Sequence, residues 1–167
     1  YTTVDGLHKV DVSSISKDNY KNVWIGGKSP NGFVQIYNIE KMVFTKPWTR
    51  ENIKSNLTLK TNTENWVFLK YQKVSGYIFG WKVMDEFHLN NIAVHTDFQR
   101  KNIGWSLIEY LSVSLQNQSI QRIYLEVSGK NKPAQQLYES MDFQKKGLRR
   151  DYYAKGEHEF LYHLNLV

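Results

Sequence analysis

No cysteine occurs anywhere in the 167 residues, which excludes a disulfide framework and a thiolate zinc site together. Proline and glycine are scarce, three and ten, so the chain is neither linker-rich nor of low complexity. No apolar run approaches the roughly 18 residues that a membrane span needs, and none of the partners expected is a membrane. The opening Tyr1-Thr2-Thr3-Val4-Asp5-Gly6 lacks the basic-then-apolar layout of a secretory leader. A cytoplasmic location is the expectation.

What is present suits one compact domain over residues 1–167. Hydrophobic residues make up 41% and aromatics 14%, enough to build a core. A domain of this size buries roughly two-thirds of its unfolded surface. The net charge of +6 raises nucleic acid as a partner. The basic residues are scattered, however, and the densest cluster is Lys145, Lys146, Arg149 and Arg150. A charged cofactor or an acidic partner explains the balance equally well, and no direct nucleic-acid contact is expected. The five histidines make no metal set. His158 and His163 are five apart on one strand and face opposite ways, and His88 and His95 stand isolated, so no metal is expected.

Periodicity places the elements. Residues 8–15 alternate as a first strand, and Gly26-Gly27 and Ser29-Pro30-Asn31-Gly32 mark residues 16–32 as a loop. Ile36, Ile39 and Val43 recur at helical spacing over residues 33–44, and Thr49 is an N-cap for a helix through Leu57 or Leu59. The period then falls to two, giving antiparallel strands over 66–71, 76–83 and 87–94. Ile103, Leu107, Ile108, Leu111 and Leu115 restore the helical period. Residues 122–127 form a strand, and 133–141 a short helix with Pro133 in its first turn. Residues 143–148 and 159–166 form a final strand pair. The order β-α-α-β-β-β-α-β-α-β-β describes an α/β (α+β) fold, a mixed sheet with helices on both faces.

Residues 99–104 lie between a strand end and an apolar helix. A pyrophosphate needs several converging backbone N–H groups, and the first turn of a helix supplies them with a favourable dipole. Gly104 lets the backbone come close, and Asn102 is the non-glycine residue that best tolerates positive φ. Downstream, Glu126 interrupts the apolar strand Ile123-Tyr124-Leu125-Glu126-Val127, and Asn131 and Tyr138 follow in order. Read alone, Glu126 faces solvent, Tyr138 is packing and Asn131 caps the helix at Pro133.

Taken together, Asn91-Ile92-Ala93-Val94, Gln99-Arg100-Lys101-Asn102-Ile103-Gly104, Tyr124-Leu125-Glu126-Val127, Asn131 and Leu137-Tyr138-Glu139-Ser140 resemble the acetyl-CoA-dependent N-acetyltransferases of the GNAT superfamily. The closest likeness is to its RimI-type ribosomal-protein-alanine N-acetyltransferases, and it covers roughly residues 44–166. The family loop reads Gln or Arg, two residues, Gly, one residue, then Gly or Ala; Asn102 replaces the first Gly. The resemblance implies a GNAT fold with a mostly antiparallel sheet, and acetyl-CoA as co-substrate. It implies that Ile92, Ala93 and Val94 line the cofactor, with the Val94 N–H facing the thioester oxygen. Gln99, Arg100, Lys101, Asn102, Ile103, Gly104, Trp105 and Asn131 complete that site. Glu126 is implied as general base and Tyr138 as the acid that serves the departing thiolate.

Two further segments carry the likeness. Phe44-Thr45-Lys46-Pro47-Trp48-Thr49 is similar to a Phe-Pro-Trp-Ser segment of the family, and Arg149-Arg150-Asp151-Tyr152-Tyr153 to an Arg-Arg-x-Tyr-Tyr tail. Trp48, Tyr152 and Tyr153 are therefore the substrate-side candidates. The implied reaction is direct acetyl transfer to a protein N-terminal α-amine, in its most specific form the N-terminal alanine of a small-subunit ribosomal protein. Two alternatives stay open. One is the same fold acting on a polyamine, an aminoglycoside or a lysine side chain; the other is a CoA-binding module without turnover.

Overall fold

The computed structural model describes residues 7–9, 32–58, 62–70, 73–150 and 158–166. The elements are β1 (Leu7–Lys9), α1 (Gly32–Val43), α2 (Arg50–Thr58), β2 (Thr63–Lys70), β3 (Lys73–Val83), β4 (Glu86–Val94), a 3-10 turn (Thr96–Phe98), α3 (Ile103–Gln116), β5 (Arg122–Ser128), α4 (Lys132–Glu139), β6 (Gln144–Arg149) and β7 (Glu159–Asn165). The first strand is seen only at Leu7–Lys9, and most of the expected first loop lies outside the described residues. Gly32, expected to end that loop, opens α1 instead.

The local signals work as elementary chemistry requires. Thr49 caps α2 reciprocally: its Oγ1 accepts from the Asn52 N–H at 3.2 Å, and Asn52 Oδ1 accepts from the Thr49 N–H at 3.1 Å. Helix α4 ends at Glu139, two residues short of the expected Met141. The chain turns there because Asp142 takes a left-handed φ of 63°. The Phe143 N–H then bonds back to the Tyr138 carbonyl at 3.0 Å.

Seven strands form one sheet in the order β1-β2-β3-β4-β5-β7-β6. Neighbours are antiparallel except β4 and β5, which run parallel. A parallel neighbour needs a crossover, and α3 supplies it. Each face of the sheet carries its own core. On one side Ile36 and Ile39 of α1 and Ile53 and Leu57 of α2 pack on Val67, Tyr77 and Phe79. On the other, the five periodic residues of α3 are all buried against Ile78, Phe87, Ile123 and Leu125. Each such side chain contributes roughly 1.5–3 kcal/mol on leaving water, so packing, more than propensity, fixes α3.

Strand β4 changes sides partway along. Opposite it the register jumps from Phe79↔Asn91 to Gly80↔Leu89, leaving Asn90 as a bulge. Before the bulge Phe87 and Leu89 lie on the α3 side. Beyond it Ile92 and Val94 take that side, and Ala93 joins the α1 core. Asn91, now turned toward α1, donates from Nδ2 to Glu40 Oε1. Burial raises the Glu40 carboxyl from its ordinary value, with hydrogen bonds from Tyr77, Asn91 and the Trp48 backbone acting the other way, and the bond to Asn91 ties α1 to the bulge.

Gly80 sits opposite the bulge, where a Cβ would overlap the Phe87 ring and the His88 carbonyl oxygen. A backbone oxygen cannot rotate away as a side chain can. Gly80→Ala is therefore expected to cost about 1–3 kcal/mol, the usual range for overpacking. A thermal melt that matches the wild type would refute this account of the bulge.

Candidate active site

Strands β4 and β5 stop pairing early. Their ladder runs from Glu86↔Arg122 to Leu89↔Leu125 and no further. Past the Asn90 bulge the two strands diverge, and the gap opens into a cleft of ≈ 1970 Å³ lined by Ile92, Ala93, Val94, Glu126, Asn131 and Tyr138, among others. A strand edge freed from its neighbour presents unpaired backbone groups. The His95 N–H donates to the Ser75 carbonyl of β3 at 2.9 Å. Alternation along an extended strand then turns the Val94 N–H the other way, toward the cleft.

The mouth of the cleft is the start of α3. Asn102, its N-cap, has φ 62° and ψ 8°, and Arg100 has φ 57°. The positive φ expected at Asn102 is thus present, and the chain adopts a second left-handed residue two positions earlier. Backbone N–H groups brought together in such a turn favour anions, and the α3 dipole points the same way. The side chains of the loop have other work. Gln99 Nε2 donates to the Val94 carbonyl at 3.1 Å, and Lys101 Nζ to the Asp97 carbonyl at 2.8 Å. They fasten the loop to β4 and to the 3-10 turn.

The glycine of the loop also has a packing role. A Cβ on Gly104 would stand 3.2 Å from Leu137 Cδ2 and 3.8 Å from Val94 Cγ2. Gly104 therefore lets α4 and β4 close on the helix start. Ile103 is buried, and Trp105 is 40% exposed at the rim.

Across the cleft, Glu126 extends from β5 on the face opposite the α3 core. Arg149 of β6 reaches it, Nη2 to Oε1 at 3.0 Å. Between them stands Glu159 of β7, directly opposite Arg149 in the ladder and diagonal to Glu126. Glu159 is only 9% exposed. Its carboxyl is pushed up to about 7 by burial, then by a hydrogen bond to Glu126 and that group's charge, with Arg149 acting the other way.

Tyr138 lies deep in the cleft wall, packed on Phe143 at 5.6 Å and Tyr162 at 6.2 Å between ring centres. Burial raises its phenol above the ordinary value, so it stays protonated as a donor. Asn131 Oδ1 caps α4 by accepting from the Ala134 N–H at 3.2 Å.

Trp48 stacks on Phe79 at 6.3 Å and borders the same cleft. Tyr152 and Tyr153 lie outside the described residues. The sequence singles out neither Glu159 nor Glu40, and it places Arg149 in a basic cluster and in the Arg-Arg-x-Tyr-Tyr tail without pointing to Glu126. That cluster is not one patch: Lys145 lies over the Phe160 ring on the α3 side, while Arg149 turns to Glu126. The available signal was a second glutamate opening an apolar strand, Glu159-Phe160-Leu161-Tyr162; its meaning depends on β7 lying beside β5. Among the described residues, no group of three or more His, Asp or Glu is placed to hold a metal ion.

A splayed parallel strand pair with a helix start at its mouth defines a class, and the sequence agrees. The chain matches the acetyltransferase (GNAT) family over residues 33–143 and belongs to it. It is an N-acetyltransferase of GNAT fold. It is 33% identical over 117 residues to the ribosomal protein bS18-alanine N-acetyltransferase of Escherichia coli (strain K12), covering 70% of this chain and 78% of that one. The enzyme of the same name from Salmonella typhimurium is 32% identical over 126 residues, covering 72% and 80%. The crystal structure of the Escherichia coli enzyme superposes with a TM-score of 0.76 at 28% identity, over 84% of this chain and 92% of that chain.

Two outcomes follow from this geometry. Asn102→Gly removes a left-handed non-glycine residue and is expected to melt at or above the wild-type temperature, whereas Asn102→Val is expected to lose about 1–2 kcal/mol; equal melts would contradict the φ of 62°. The second concerns pH. Because the folded Glu159 carboxyl sits near 7 against an ordinary 4.5, the native state holds the extra proton between those values. Stability from this group is full below about 4.5 and falls as pH rises through 7. Glu159→Gln lacks that loss, so its melting temperature is expected to gain on the wild type between pH 5 and pH 8. A constant difference across that range would rule the shift out.

Proposed function

We propose that this protein transfers the acetyl group of acetyl-CoA to the α-amine of a protein N-terminus, in the most specific form the N-terminal alanine of a small-subunit ribosomal protein. The observation that carries this reading is the conjunction of the splayed β4–β5 cleft with 33% identity to an enzyme named for that reaction. The residues present suit acetyl-CoA as co-substrate. The loop at Arg100 and Asn102 and the first turn of α3, Ile103 to Trp105, suit its pyrophosphate. The edge at Ile92, Ala93 and Val94 suits an extended pantetheine arm, and Asn131 lies beside its path. Acetyl-CoA supplies an activated acyl group.

The chain's own groups then divide the work. The acceptor amine enters between β4 and β5 and is met by Glu126, which receives its proton. The amine attacks directly in a ternary complex. The Val94 N–H donates to the oxygen on which charge develops, a contact that strengthens in the transition state. Tyr138, kept protonated by burial, hands a proton to the departing sulfur. A thiol of ordinary pKa, about 8.5, needs only modest help to leave. An α-amine of pKa about 7.7–8.0 needs little help to become neutral, which suits a carboxylate base. Trp48, with Tyr152 and Tyr153, is the choice for contacting the acceptor chain.

Mass-spectrometric turnover with acetyl-CoA tests this on an Ala-starting peptide, an N-blocked lysine peptide and spermidine. Acetylation is expected at the α-amine alone, with Glu126→Gln lowering kcat by about 10²-fold or more in an enzyme that still folds. Transfer only to lysine or spermidine would overturn the acceptor. An undiminished Glu126→Gln enzyme would overturn the base.

A further inference from the structure

An amine that enters as ammonium must lose two protons from nitrogen before the amide is complete. One goes at deprotonation and one once the N–C bond has formed. The C–S bond breaks, the sulfur takes one proton, and one is released. A lone carboxylate holds one proton at a time. This chain places a second carboxyl beside the first: Glu159 lies diagonal to Glu126 on the neighbouring strand, is nearly buried, and is bracketed on the far strand by the same Arg149 that pairs with Glu126 at 3.0 Å. Two carboxylates this close repel each other, so the pair works from its fully ionised form, which has room for both protons of the ammonium. The three side chains come from three adjacent strands, β5, β7 and β6, so their spacing is set by the sheet ladder and not by a loop.

We infer that Glu159 is a positioning residue of the acceptor site that acts through Glu126, taking from it the first proton of the ammonium so that Glu126 is free to take the second. The inference rests on the assignment of Glu126 as base. Glu159 itself does not meet the amine. The charged groups facing it, among the described residues, are Glu126 from β5 and Arg149 from β6. Its burial favours the protonated form and Arg149 opposes it, so the pair exchanges a proton near neutrality, where the acceptor amine also titrates.

Two readouts on the full chain test this. The first is a carboxyl-¹³C NMR titration with labelled glutamate, Glu159 being assigned by the signal lost in Glu159→Gln. Its midpoint is expected near 7, to fall by about one unit or more in Glu126→Gln, and to rise in Arg149→Gln. The second is kcat against pH on the Ala-starting peptide. The acid limb is expected to move down by about one unit in Glu159→Gln, with a plateau about tenfold lower, and to move up in Arg149→Gln. Opposite displacements in two variants cannot arise from partial unfolding. A Glu159 midpoint in the ordinary carboxylate range overturns the inference, as does an unmoved limb in Glu159→Gln beside an inactive Glu126→Gln, which leaves the base assignment standing. A fully active Glu126→Gln enzyme removes the base and this inference together, whatever the titration shows.

Discussion

Among the described residues, the β4–β5 ladder that joins the two halves of the sheet is four residue pairs long, Glu86 to Leu89 against Arg122 to Leu125. Everything chemical in the molecule depends on that seam being short. Had the parallel ladder continued, the backbone beyond Asn90 would be saturated by β5 and there would be no cleft. The ladder ends because the bulge at Asn90 redirects β4, and the bulge is held from both faces. Gly80 leaves room for Phe87 on one side, and Glu40 binds Asn91 on the other. A buried carboxyl is a costly way to fasten a strand unless it is neutral and hydrogen-bonded, which is the direction in which its burial pushes it.

The same sheet gives the site its electrostatics. Once β7 is inserted between β5 and β6, side chains at Glu126, Glu159 and Arg149 fall on one face at ladder spacing. Glu126 faces the cleft with Arg149 beside it, and burial raises the carboxyl of Glu159 from its ordinary value. Environment separates two chemically identical groups into two roles. Tyr138 obeys the same rule from the opposite wall, where burial among Phe143 and Tyr162 keeps the phenol neutral.

Much of this was legible in the sequence because it was local. The buried stripe of α3 repeats every three or four residues, the Thr49 cap is read from its neighbours, and the left-handed turn at Asn102 follows from its side chain. The bulge was not legible from period. Phe87, Leu89, Asn91 and Ala93 alternate without a break, and only the register with β3 reveals that the first two and the last two face opposite cores. The roles of Glu126 and Tyr138 came from family resemblance and not from pattern. Glu159 escaped because its partner lies 33 residues earlier in the chain (159 − 126), and nothing local announces that β7 enters beside β5.

The loop ahead of α3 has a kinetic side. Arg100 and Asn102 hold left-handed backbone without glycine, which free chains of such residues seldom visit. Gln99 and Lys101 nail the flanks to β4 and the 3-10 turn. The loop is therefore shaped during folding and does not wait for a nucleotide to shape it. On the proposed reading of this loop as a pyrophosphate site, a receptor already shaped loses little further conformational entropy on capture. Encounter with a polyanion then depends chiefly on diffusion and on the field of a chain carrying +6, and so on the ionic strength around it.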